Sequence, residues 1–441
     1  MKILNRAELE RSEKHRLVLD LLEEGLKAAD PYLSTVEVLR NLSHELLKYR
    51  RKVVIGFGKA SYRMALASEK VVDEIWAGGI IVPKGSVQVN ELKKIRIYEG
   101  THPIPSQINV EATKELLSLL SGLTEDDLVI CLISGGGSAL FVQPSGISLS
   151  EKQEVTRLLL SCGASIHEIN CVRKHLSAVK GGNLARLIYP ANSICLILSD
   201  VVGDNIDTIA SGPTSPDGTR FIDAWRILEK YRLLEKVPKN VLEHIKMGID
   251  GKVPETPKAD DPVFKKVKNI IVANNMKALS AMADKAKTIG LKPMIITSYL
   301  EGEAKEVGKV IGSIARQILK YDSPISSPCI LLFGGETTVT VKGNGIGGRN
   351  QELTLSVAMM LNSFSNIVFA SIGSDGVDGN SSAAGAIVDG ETLREAEEAG
   401  LSPLAYLENN DSNSFFEKMK RTIKTGPTGT NVNDIAVLAI F

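Results

Sequence analysis

Asp127–Leu140 reads DLVICLISGGGSAL, an unbroken apolar run that ends in three glycines bracketed by Ser134 and Ser138. The run predicts a strand buried on both faces at Asp127–Ile133, a loop at Ser134–Ser138 and new structure from Ala139 onward. Five further stretches close in the same way on Gly, Ser, Asn or Asp: KVVIGFGKAS (Lys52–Ser61), SICLILSDVVGD (Ser193–Asp204), KNIIVANN (Lys268–Asn275), CILLFGGET (Cys329–Thr337) and NIVFASIGSDGVDG (Asn366–Gly379). Helix-like segments follow most of them. Strands alternating with helices predict an α/β fold with a mostly parallel sheet, whose ligands bind outside the carboxyl ends of the strands. Small-residue loops there present backbone N–H groups to anions, helped by the next helix N-terminus. The chain reads as built to hold phosphate.

The 441 residues carry no formal net charge and 43% are hydrophobic, which predicts two or three domains with ordinary cores. The charge balance argues against a general nucleic-acid binder and against a polybasic membrane binder. None of the five cysteines forms a C-x-x-C pair. Cys131, Cys195 and Cys329 lie inside apolar runs and read as small buried hydrophobes, in keeping with a reducing compartment. Met1–Arg16 is charged throughout, unlike a signal peptide, and no apolar run is long enough for a membrane helix. The expected location is cytoplasmic.

Arg6–Ala29 predicts an amphipathic helix stopped by Pro31, and Thr35–Tyr49 predicts a second. Asn170–Ile188 reads as one long helix, and the alternation TTVTV at Thr337–Val341 as a strand paired with Cys329–Phe333. The proline-rich, charged GKVPETPKADDP (Gly251–Pro262) breaks the pattern. It reads as a linker and hinge between an N-terminal domain, 1–250, and a C-terminal one, 263–441. Two α/β domains facing each other across a cleft are expected.

Phosphoryl transfer requires cations and oriented N–H groups on the moving group, a metal site and a positioned hydroxyl. Lys59 follows Gly58 at a strand-to-helix turn. Ser134, Gly135, Gly136, Gly137 and Ser138 exceed what a turn needs and read as an anion cradle. GNGIGGR (Gly343–Arg349) is a second glycine-rich loop that includes Gly348. It puts Arg349 in the first turn of a helix, where the macrodipole disfavours a cation unless an anion is bound beside it. Asp200 with Asp204, and Asp375 with Asp378, read either as hard-cation or base sites or as ordinary Asp turns. Glu336 is a similar candidate. RKHLSAVK (Arg173–Lys180) places four cationic or imidazole groups, Arg173, Lys174, His175 and Lys180, on one helix, either a solvated face or a substrate-anion site. His102 reads first as a turn or core histidine. No P-loop is present, and the dinucleotide fingerprint fails at its third glycine, where Ser61 stands.

Taken as blocks, GFGKAS, GTHPIP, ISGGGSAL, RKHLSAVKGGNLA, LSDVVGDNIDTIASGPTSPD, FGGETTVTVKGNGIGGRNQE, SIGSDGVDGNSSAAGA and TGPTGTNVNDI resemble the MOFRL-type glycerate 2-kinase family, some members of which carry the label hydroxypyruvate reductase. The resemblance runs from about Glu8 to Phe441. It implies a Rossmann-like N-terminal domain, a C-terminal MOFRL domain and an active site in the cleft between them. It also implies ATP-dependent phosphorylation of D-glycerate to 2-phosphoglycerate and ADP, with Mg²⁺ or another divalent cation. The family's lysine falls on Lys59, its arginine on Arg349 and its aspartate on Asp375. Gly58, the Ser134–Ser138 loop, Arg173, Lys174, Asp204, Glu336 and Gly348 are then expected to touch nucleotide or substrate. Asp200, Asp204 and Asp378 are expected at the metal. Two other functions are carried forward, an NAD(P)H-dependent hydroxypyruvate reductase and a non-catalytic phosphometabolite-binding module. Neither a nucleic-acid nor a membrane partner is expected, and a homodimer is the default assembly.

Overall fold

Continuous apolar runs become strands covered on both faces in the computed structural model, which describes residues 2–441. The first sheet holds β1 (Lys52–Phe57), β2 (Ile75–Pro83), β3 (Ile95–Gly100), β4 (Leu128–Ile133), β5 (Asn192–Leu198) and β6 (Val267–Ala273). Their order is β3-β2-β1-β4-β5-β6, and β1 pairs in parallel with both β2 and β4. That is the doubly wound, dinucleotide-domain order, and its switch point lies between β1 and β4. Every residue of β1 and β4 is buried. Phe57, Ile133, Leu140 and Phe141 join one core cluster beneath the loops that leave these two strands.

The second sheet holds β7 (Lys292–Leu300), β8 (Cys329–Gly335), β9 (Ile367–Gly373), β10 (Gly385–Asp389), β11 (Thr422–Ile423) and β12 (Asp434–Ile440), in the order β11-β10-β9-β12-β8-β7. Here β7–β8 is parallel, whereas β12 runs antiparallel to both β8 and β9. A mostly parallel sheet therefore describes the first sheet only. The register sets Asp434 opposite Gly335 and opposite Gly373, so the first residue of the last strand shares an edge with the ends of β8 and β9. The expected strand Thr337–Val341 does not form. That stretch makes one isolated bridge, Glu303–Thr338, and the next N–H along it in register, that of Thr340, goes to the Glu303 carboxylate and not to a backbone carbonyl.

The compact units divide elsewhere than expected. One is Pro31–Val272; the other joins the residues through Asp30 to Ala273–Phe441. The amphipathic helix Glu13–Ala28 explains the second grouping. Its buried face includes Val18, Leu22 and Leu26, and Gly25 lets it approach Met282 and Ile435 of the second unit. Pro31 does not merely stop that helix. It opens the next one, Pro31–Asn41, at the position where a missing N–H costs nothing.

The hinge expected at 251–262 is also corrected, because the segment is held within Pro31–Val272 by hydrogen bonds. Glu255 meets His175 at 2.9 Å, Pro257 O accepts the Asp217 N–H at 3.0 Å, and Thr256 Oγ1 donates to Asp217 at 3.1 Å. Prolines in a pinned, extended segment leave the same compositional mark as a linker. Among the described residues no helix is long and apolar enough to cross a membrane. All five cysteines are free, and Cys131, Cys195 and Cys329 are buried as expected.

Candidate functional site

In the Pro31–Val272 unit, the switch point brings the loop after β1 against the loop after β4. The Lys59 N–H donates to Gly135 O at 2.9 Å and the Ala60 N–H to Ser134 Oγ at 3.0 Å. Ser134 is thus a buried staple between the loops. Gly58 is required beside it, since its φ is +129° and a Cβ there would strike Ser134. A Cβ on Gly135 would strike the Asp200 carboxylate, and one on Gly136 would lie 3.1 Å from the His102 ring. Glycine at these places lets Asp200, His102 and Lys59 gather around the loop. Lys59 and His102 are exposed, and Asp200 is half-buried.

Three carbonyls of the loop are tied back. Gly135 O accepts from the Lys59 N–H, Gly137 O from Lys180 Nζ at 2.8 Å, and Ser138 O from Arg173 Nη2 at 3.3 Å. Among the described residues the N–H groups of Gly135 and Gly136 have no partner. Unpaired N–H groups beside cations are an anion cradle. Burial pushes the Asp200 carboxyl up, while its own backbone N–H and Lys59 pull it down. Burial and then Lys59 lower His102.

The expected basic helix Arg173–Lys180 is broken. The helix Ile166–His175 ends, Gly181 and Gly182 turn the chain with φ of +56° and +81°, and a new helix starts at Asn183. Arg173 faces the loop. Lys174, offered as a substrate ligand, is buried 3.5 Å from both Asp207 and Asp217 and does not face the loop. Asp204 sits in the turn after β5 with φ +57°.

In the other unit, Arg349 opens the helix Arg349–Met360. Asp434 grips its guanidinium bidentately at 2.6 and 3.0 Å, and Glu336 meets Nη1 at 3.1 Å. Burial weighs against the charge, but Asp434 and then Glu336 hold Arg349 protonated well above its ordinary range. Asp378 accepts the Asn350 N–H at 3.0 Å and the Gln351 N–H at 2.9 Å, and both side-chain amides as well. It is the N-terminal cap of this helix, and both oxygens are taken. The metal role expected of Asp378 is therefore corrected. The argument that Arg349 needs a bound anion is corrected too, since Asp378, Asp434 and Glu336 supply the negative charge. A Cβ on Gly348 would strike Asp378, so this glycine serves the cap.

The second glycine-rich loop spends most of its donors, up to Gly347, within its own unit. The N–H groups of Lys342 and Gly343 go to Asn410 Oδ1, that of Ile346 to Asp411, and that of Gly347 to Asn380. Asp375 differs from Asp378. One of its oxygens accepts the Val377 N–H at 3.1 Å, and the other has no partner among the described residues. No group of three or more His, Cys, Asp or Glu is gathered for a metal among the described residues. The sequence reading missed Asp434 and carried Lys180 only as one cation of the Arg173–Lys180 stretch. Both lie in quoted blocks, but only the register of β12 and the turn at Gly181–Gly182 reveal what they touch. At the end of β2, Pro83 is followed by Lys84, not by the acid that a nicotinamide ribose requires.

Residues 17–246 match a family described as a domain of unknown function, DUF4147, and residues 329–434 match the MOFRL family. The chain is 44% identical to glycerate 2-kinase of Pyrococcus horikoshii, with 96% of each chain covered. It is 41% identical to D-glycerate 2-kinase of Thermotoga maritima, covering 96% of this chain and 97% of that one. It also aligns with the crystal structure of a glycerate kinase from Thermotoga maritima at a TM-score of 0.90 and 40% identity, covering 97% of this chain and 99% of the other.

Proposed function

The chain belongs to the glycerate 2-kinase family, and from that premise we propose that it transfers the γ-phosphoryl group of ATP to the 2-hydroxyl of D-glycerate, releasing 2-phosphoglycerate and ADP. The observation that carries this reading is the free N–H pair of Gly135 and Gly136 beside the exposed Lys59. A reaction of this kind asks little covalent chemistry of the protein. It asks for positioning and for fixed charge where negative charge moves.

We assign Lys59 and Arg349 to the charge on the transferring phosphoryl group. Asp375, with one carboxylate oxygen unoccupied, is assigned to the glycerate hydroxyl. It takes the hydroxyl proton as O2 bonds to the γ-phosphorus and the bond to the β,γ-bridging oxygen breaks, and ADP departs with that bond's electrons. The Gly135–Gly136 cradle holds an anionic group of a substrate, either a nucleotide phosphate or the glycerate carboxylate. A divalent cation such as Mg²⁺ needs few protein carboxylates when phosphates complete its shell. Asp200, whose carboxylate lies against Gly135, fits that demand, and Asp204 is the second candidate. Bound there, the ion would neutralise phosphate charge. Glu336 and Gly348 support Arg349 and its helix and are not assigned to substrate.

Phosphorus NMR of the protein with ATP, Mg²⁺ and D-glycerate tests the reading. A new phosphomonoester signal matching 2-phosphoglycerate is expected. A 3-phosphoglycerate signal would keep the kinase and overturn the position. No phosphorus product, together with NADH consumption on hydroxypyruvate, would replace the kinase with a reductase.

A further inference from the structure

Lys180 is almost wholly buried, at 3% exposure, and its ammonium donates to Gly137 O at 2.8 Å. It also lies 5.4 Å and 5.3 Å from the ring centres of Phe57 and Phe141, which stack on each other at 4.2 Å. Burial, then Arg173 and then Lys152, push this ammonium well below its ordinary range. Arg173 holds Ser138 O, and the buried Lys152 donates to the carbonyls of Arg173 and Leu176 at the end of their helix, each at 3.0 Å. Lys174 nearby has two aspartates. Among the described residues Lys152, Arg173 and Lys180 have no carboxylate within ion-pair distance.

Buried charges are ordinarily paired, because an uncompensated one costs several kcal/mol. The helix end explains Lys152. Nothing of that kind explains Lys180, whose only oxygen partner among the described residues is a carbonyl of the anion loop. The two aromatic faces soften its burial without neutralising it.

We propose that Lys180 is a positioning residue for the anion that the Ser134–Ser138 loop holds. It holds Gly137 O, which fixes the plane of the Gly137–Ser138 peptide and so the direction of the Ser138 N–H opposite that carbonyl, and it places an amine under the bound group whose charged form a bound anion favours. The charge cluster is complete only when a carboxylate or phosphate of a substrate lies on the loop. This rests on the reading of the loop as an anion cradle. Lys59 meets the ligand from solvent, whereas Lys180 acts through the loop from below.

The test is calorimetric titration of wild type and Lys180→Met with a non-hydrolysable ATP analogue and, separately, with D-glycerate. Lys180→Met is expected to weaken one of the two at least tenfold and leave the other within threefold, and the weakened ligand identifies the group on the loop. KM for that ligand should rise more than kcat falls. Melting temperature should hold or rise, because a buried charge has been replaced by an apolar chain of similar length. Lys180→Gln, which removes the charge but keeps a donor, is the second variant should the Met protein fail to fold, and it should weaken the same ligand. Wild-type affinity for both ligands would overturn the proposal. So would equal loss of both with a lower melting temperature, which would mark a merely structural residue. The titrations need no turnover, so a wild-type protein that makes no phosphoglycerate would sink the kinase reading alone.

Discussion

Lys59→Met removes one charge and little else. The Lys59 side chain is exposed, and the N–H that binds Gly135 O belongs to the backbone and survives the change. A surface substitution of this kind shifts stability by no more than about 0.5 kcal/mol. Loss of a pre-placed partner for developing negative charge costs about 3–4 kcal/mol in the transition state, or roughly 10²–10³ in kcat. The urea midpoint should therefore stay put while kcat, followed by ADP release at saturating substrates, falls by at least two orders of magnitude. A second readout needs no catalysis. Burial and then Lys59 hold His102 below its ordinary pKa. With the charge gone, the His102 ring should titrate at higher pH, which proton NMR measures. Turnover above a tenth of wild type would remove Lys59 from the mechanism. An unmoved His102 titration would refute the geometry in which Lys59, His102 and Gly136 share one corner.

Asp378→Ala strips four N–H groups of their acceptor. A lost cap and buried unmatched donors cost about 3–5 kcal/mol, partly offset because burial pushes this carboxyl up to about 6; a urea midpoint unchanged from wild type would contradict its role as the cap. Arg349→Lys keeps the charge but loses the fork that Asp434 grips. It should lower kcat/KM by at least tenfold, with Asp434→Asn doing likewise, and normal kinetics in both would detach the pair from function. His175, buried against Glu255 at 2.9 Å, is disfavoured as a cation by burial, but its bonds to Cys171 and Glu255 outweigh that and raise it to about 9. A raised folded-state value means that this stabilisation is complete below about pH 6.5 and is lost as pH climbs through 9, by about 1–3 kcal/mol after allowance for the exposed side of Glu255. Urea midpoints at pH 6.5 and 9.5 should differ in wild type and converge in Glu255→Gln.

Local physics made most of the first sheet readable. A strand buried on both faces must be apolar along its length, and the apolar part of the quoted Lys52–Ser61 stretch forms β1, Lys52–Phe57. Its neighbour β4 differs by one residue, Leu128–Ile133 against Asp127–Ile133. Helix caps are equally local: Ser148 with Glu151 forms the capping box that opens the helix Leu149–Ser161. The readings that failed depended on partners far along the chain. The loop Gly343–Gly348 and the loop Ser134–Ser138 are equally rich in glycine, and composition alone calls both anion sites. They differ because Asn409, Asn410 and Asp411 return to take most of the first loop's donors, while the second loop's carbonyls are tied back and the N–H groups of Gly135 and Gly136 are left open among the described residues.

Asp378 and Asp375 teach the same distinction three residues apart. Both follow β9 in one turn, yet one is closed around a helix end and the other keeps a free oxygen. A carboxylate in sequence is a promise of negative charge. Its chemistry depends on how many of its lone pairs the fold has already claimed, and that quantity is set by register and by returning loops. The same accounting applied to cations separates Lys174, neutralised by two aspartates, from Lys180, which has none among the described residues. Unspent capacity, of N–H groups at Gly135 and Gly136, of an oxygen at Asp375 and of an unpaired amine at Lys180 among the described residues, is the ground on which these residues are proposed to meet a ligand.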